Sequence, residues 1–97
     1  MSLRDALALR PVQRQLRDGS PYWLRRPSAL DLIEAIEFQR SHSDRMHAWM
    51  CWRHALDREN DAFVPVFDSL EAALAAPAQL VTEIATEADR LYSEGRD

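Results

Sequence analysis

Glycine occurs only twice, at Gly19 and Gly95, and neither lies inside the body of the chain. A phosphate-cradling loop of the P-loop or dinucleotide-binding kind needs closely spaced glycines, so both are excluded. Cysteine is a single residue, Cys51, which rules out an intrachain disulfide framework and gives no reason to expect an oxidising compartment. No apolar run approaches the roughly 18 residues that a bilayer requires. The opening MSLRDALALRP carries charges where a signal peptide has its apolar core. A cytoplasmic protein is the expectation. Lysine is absent, and all twelve basic residues are arginine.

What is present fits one folded unit. Apolar residues make up 46% of the 97 residues and charged residues 29%, too hydrophobic a mixture for a disordered chain. A chain this short buries only about 60–65% of its unfolded surface, so self-association would add to its stability. Charge is uneven: residues 1–27 carry six Arg against two Asp, whereas residues 28–97 carry six Arg against fourteen acids, giving a net charge of −4. The N-terminal arginines suit an acidic partner or nucleic acid, but the acidic remainder would repel a phosphate backbone.

Residues 1–11 read as a short helix or arm, ended by Pro11. Over 12–27, VQRQL, the turn signal RDGS and PYWLRR show the alternation of a β-hairpin. Ser28 and Asp31 form a capping box that starts a helix running to about Gln39. Its apolar stripe, Ala29, Leu32, Ile33 and Ile36 with Arg40, is expected to face the core, while Phe38 falls on the acidic side. After the polar break Ser41–Asp44, MHAWMCWRHAL reads as a second helix with Ala48, Trp49, Trp52, Ala55 and Leu56 on one face. DRENDAFVPVF breaks it and runs extended; Asp68 with Glu71 caps a short helix 69–76, with Phe67 as its hydrophobic staple. Pro77 opens a last helix whose stripe is Leu80, Val81, Ile84, Ala85, Ala88, Leu91 and Tyr92. The expected fold is therefore mainly α (α+β): one domain over 1–97, with four to five helices, a β-hairpin at 12–27 and a helical body over 28–97.

Chemistry-bearing groupings are sparse. His47, Cys51 and His54 share one side of a helix, but a structural zinc site wants a fourth ligand, which His42 or a distant acid would have to supply. The same trio lacks the oxyanion turn of a Cys/His nucleophile. Glu34 with Glu37, and Glu83 with Glu87, occupy solvated helix positions. Asp57, Glu59 and Asp61 alternate like part of a calcium loop without its glycine or its bidentate Glu. No metal, cofactor or catalytic residue is assigned. Residues available to a partner are Tyr22, Trp23, Arg25, Arg26, Phe38, Met46, Met50 and Phe63, aromatics, arginines and adaptable methionines of the kind found at interfaces.

The order of features from Tyr22 onward, YWLRRPSALDLIEA and then AWMCWRHALDRENDAFVPVFDSLEAALAAPAQLVTEIATEADRLYSEG, resembles the tail assembly chaperones of long-tailed bacteriophages, over roughly three quarters of the chain. The resemblance implies a non-enzymatic protein of the bacterial host cytoplasm. It would bind the helical tape-measure protein, keep it soluble and help gather tail-tube protein around it. Nothing after Tyr92 resembles the second domain that a ribosomal frameshift adds in many relatives. A separate reading of the arginines is a small nucleic-acid-binding regulator or adaptor.

Overall fold

The computed structural model describes residues 2–94; Met1 and residues 95–97, including Gly95, lie outside them. A short helix α1 (Leu3–Leu7) precedes strands β1 (Val12–Gln15) and β2 (Pro21–Leu24). Helix α2 (Ala29–His42) and a single 3-10 turn (Ser43–Arg45) lead into α3 (Met46–His54). Strands β3 (Ala55–Glu59) and β4 (Ala62–Pro65) follow, then α4 (Leu70–Leu74) and α5 (Ala78–Glu94).

The expected architecture needs correction. The hairpin at 12–27 is half of a four-stranded antiparallel sheet of order β1-β2-β3-β4, and residues 28–97 are not a helical body because they supply the other half. The expected second helix stops at His54. Ala55 and Leu56, read as the end of its apolar stripe, are the first residues of β3 and pair with Leu24 and Trp23. The reason is tertiary. Two short strands alone are marginal, and the open edge of β2 gains a partner if the chain becomes extended at residue 55.

Both hairpin turns are built from residues that accept left-handed backbone. Gly19 has φ +89°, and its amide donates to the Leu16 carbonyl at 2.9 Å. Between β3 and β4, Asn60 (φ +49°) and Asp61 (φ +66°) supply the two consecutive positive-φ residues of a two-residue hairpin. Replacing Asp61 with glycine creates the preferred Asn-Gly pair. It is expected to stabilise the protein by about 0.5 kcal/mol, and alanine there to destabilise it by a similar amount, as read by thermal unfolding.

The core lies between one sheet face and the helices. Tyr22, Leu24 and Ala55 join Trp49 and Cys51 of α3 and Val81, Ile84, Ala88 and Leu91 of α5. Helix α5 follows its expected stripe, with Val81, Ile84, Ala85, Ala88, Leu91 and Tyr92 buried. Helix α4 starts one residue later than the sequence suggested, capped by Ser69, whose hydroxyl accepts from the Ala72 amide at 3.1 Å. Its staple residue Phe67 is buried.

Candidate functional site

Helix α2 is rolled opposite to its sequence pattern. Ser28 and Asp31 make the capping box as read: the Asp31 amide donates to the Ser28 hydroxyl at 3.1 Å, and the Ser28 amide to Asp31 Oδ2 at 2.8 Å. The same carboxylate receives the Arg25 guanidinium on both oxygens, at 2.7 and 3.0 Å, and Arg53 at 3.2 Å. Arg53 also pairs with Glu34. Asp31 is thereby buried together with Ala35, while Phe38, half-buried, stacks on Trp49 at 5.7 Å. Burial pushes the Asp31 carboxyl up, but the bonds from Arg25, the Ser28 amide and Arg53 together outweigh it and hold the group well below the usual carboxylate range. A charge tied to three donors thus sets which side of α2 meets the body.

Behind this cluster, His54 links three elements. Its Nδ1 bonds the Arg25 carbonyl at 2.8 Å, which requires a proton there, so Nε2 accepts from the Tyr92 hydroxyl. Burial lowers the imidazole to about 4, against the raising effect of the Arg25 carbonyl, so it is neutral at pH 7. The metal reading of His47, Cys51 and His54 is not supported by their positions. Both His54 nitrogens are engaged, the Cys51 thiol is buried and donates to the Val81 carbonyl at 3.2 Å, and His47 is exposed. Burial pushes the Cys51 thiol up to about 12, leaving no thiolate for nucleophilic attack at neutral pH.

The consequence appears on the other side of α2. At 100° per residue, Ala29, Ile33, Ile36 and Arg40 lie diametrically across the helix from Asp31 and Phe38. The stripe expected to be core is exposed, Ile33 at 54%, Ile36 at 46% and Leu32 at 37%, and Leu30 to one side of it is 61% exposed. These four form the largest concentration of exposed aliphatic surface on one element among the described residues.

The residues picked from sequence as partner contacts scatter. Tyr22 and Met50 are buried in the core, Met50 reaching the surface only at the floor of a groove beside Met46. The Tyr22 hydroxyl has no hydrogen-bond partner among the described residues, and burial, with Glu87 and Glu83 nearby, pushes it up to about 12. Arg25 is spent on Asp31, and its Nε also donates to the Arg53 carbonyl at 3.0 Å. Phe38 sits between Trp49 and His42, at 5.7 and 4.9 Å, so the aromatic on the acidic face is an internal contact. Met46 packs half-buried against the core beside a groove of about 420 Å³ between the start of α3 and α5. Arg26 is exposed, its Nε donating to the Arg10 carbonyl at 3.1 Å. Trp23 and Phe63 do come together, edge to face with ring centroids 5.9 Å apart, on the sheet face away from the helices.

A larger cleft of about 510 Å³ lies between the β1–β2 turn and α5, lined by Arg17, Gln79, Thr82, Glu83, Thr86 and Glu87. Its walls are the turn residue Arg17 and exposed or half-buried residues of α5, and they hold none of the buried polar groups described above. No helix among the described residues is long and apolar enough to cross a membrane. Comparison with protein-family models, with curated proteins and with solved structures finds no match.

Proposed function

We propose that this chain is a tail assembly chaperone of a long-tailed bacteriophage or prophage. In this reading it works in the host cytoplasm without catalysis, holding an apolar helical segment of the tape-measure protein along α2. The observation that supports it is the outward stripe Leu32, Ile33 and Ile36, flanked by exposed Leu30 and held in place by the Arg25–Asp31–Arg53 cluster behind it. An amphipathic helix laid along such a stripe buries apolar surface on both partners and needs no reactive group. Covering side chains already half-buried yields about 1 kcal/mol each. The client's own apolar side chains add a similar gain, and against an association cost of about 4 kcal/mol or more the balance is at most a weak, reversible complex, as suits a protein that leaves before the tail is finished.

Co-expression with the tape-measure protein is expected to raise the client's soluble fraction several-fold and to allow the two to co-purify. The double variant Ile33→Asp, Ile36→Asp should lose both effects while keeping its own thermal midpoint, because both positions are solvent-exposed. A tape-measure protein that stays insoluble beside the wild-type chain and never co-purifies with it overturns the assignment. Equal rescue by the double variant overturns the location.

A further inference from the structure

The sheet has a second, separate surface. Its helix-free face is defined by register: Trp23 opposes Leu56, Leu56 opposes Pro65, and Arg58 opposes Phe63. Gln13, opposite Trp23, extends the same face onto β1. In a chain with 16 acidic residues, none of the paired positions on this face is acidic. Its one charge is Arg58, whose guanidinium lies 5.5 Å from the centre of the Phe63 ring. Asp61 in the adjoining turn reaches Arg58 at 3.6 Å, but its side chain is 97% exposed, so the pair is weak and readily exchanged.

We infer that this face docks an acidic, amphipathic protein segment, its apolar side chains resting on Trp23, Leu56 and Phe63 and a carboxylate meeting Arg58. Charge decides among occupants. A second copy offers Arg58 a face whose paired positions hold no acid, so nothing there complements its charge. Single-stranded nucleic acid needs free ring faces to stack on and several cations to track phosphates. Here Trp23 and Phe63 meet edge to face, and Arg58 covers one face of the phenyl ring. A carboxylate-bearing segment meets neither obstacle and replaces the exposed Asp61 with a partly desolvated partner. Four strands about 4.8 Å apart span roughly 14 Å between the outermost two, which about 10 residues of helix would cross.

The probe is a synthetic amphipathic peptide of about 16 residues with Leu and Phe at helical spacing and Glu elsewhere, titrated into the 15N-labelled full-length protein. It is compared with the same peptide carrying Lys for Glu and with a twelve-nucleotide oligothymidylate. The Glu peptide is expected to shift the Trp23 indole resonance and to bind at least about tenfold more tightly than the Lys peptide, weakening with salt. Arg58→Glu should reverse that preference, whereas Ile33→Asp, Ile36→Asp should leave it unchanged, separating this surface from α2. Equal binding of both peptides, no binding of either, shifts confined to α2, or tighter binding of the oligonucleotide overturns the inference. So does concentration-dependent dimerisation that Arg58→Glu abolishes.

Discussion

Replacing Asp31 with alanine is expected to lower the unfolding free energy by about 3 kcal/mol, measured as the shift of the urea midpoint. Removing one member of a buried ion cluster leaves its partners' charges partly desolvated and unpaired, which typically costs 3–5 kcal/mol. Water still reaches the arginines, whose side chains are 35% and 28% exposed, so the lower end of that range applies. Part of the loss is the cap, since the Ser28 amide loses its acceptor. Asp31→Asn keeps an acceptor for that amide and should cost distinctly less than alanine, which separates the capping contribution from the charge. The alanine variant should also weaken client binding in co-purification, because the roll of α2 is no longer held. A loss below about 0.5 kcal/mol would mean that the cluster does not hold α2.

Acidification is expected to destabilise the protein between pH 6.5 and 4 through His54. Its folded value is lowered to about 4, whereas the unfolded chain titrates near the ordinary 6.5. Within that window the unfolded state binds a proton that the folded state refuses. Stability is therefore complete above pH 6.5 and falls as the pH drops towards 4, by about 3 kcal/mol in total. The groups that face the ring are Tyr92, which donates to it, and the charges of Arg25, Asp31 and Arg53. Asp31 adds nothing in this window: its lowered value means that its contribution is lost only as the pH falls below the ordinary carboxylate range. His54→Gln should be less stable at pH 7 and should flatten the slope. An unchanged urea midpoint for the wild type between pH 7 and 4.5 would refute a buried neutral imidazole.

How much of this was legible in the sequence differs by element. The α5 stripe, the Ser28–Asp31 box, the RDGS turn and the β1–β2 hairpin were readable because each depends on residues within a few positions of one another. The β3–β4 hairpin was not. Its turn pair Asn60-Asp61 lacks glycine, and the alternation from Ala55 onward coincides with the continuing period of α3. The pairing of Trp23 with Phe63 was hidden for the same reason: both were picked as exposed aromatics, but the register that joins them runs through β3.

Helix α2 marks the division most clearly. Local chemistry alone was enough to establish that a helix starts at residue 29, that it carries an aliphatic stripe, and that Phe38 lies off it. The direction of that stripe depended on groups distant along the chain. Arg53 comes from α3, Trp49 offers Phe38 a stacking partner, and α5 brings Tyr92 to His54. In the fold Asp31 is buried under two arginines and Phe38 is paired with Trp49, and Leu32, Ile33 and Ile36 are left facing outward. Periodicity measures how apolar each side of a helix is, not which ionic partners the rest of the fold delivers to it. The surface available to another protein was therefore left to tertiary packing, while the composition of that surface was already written along residues 29–40.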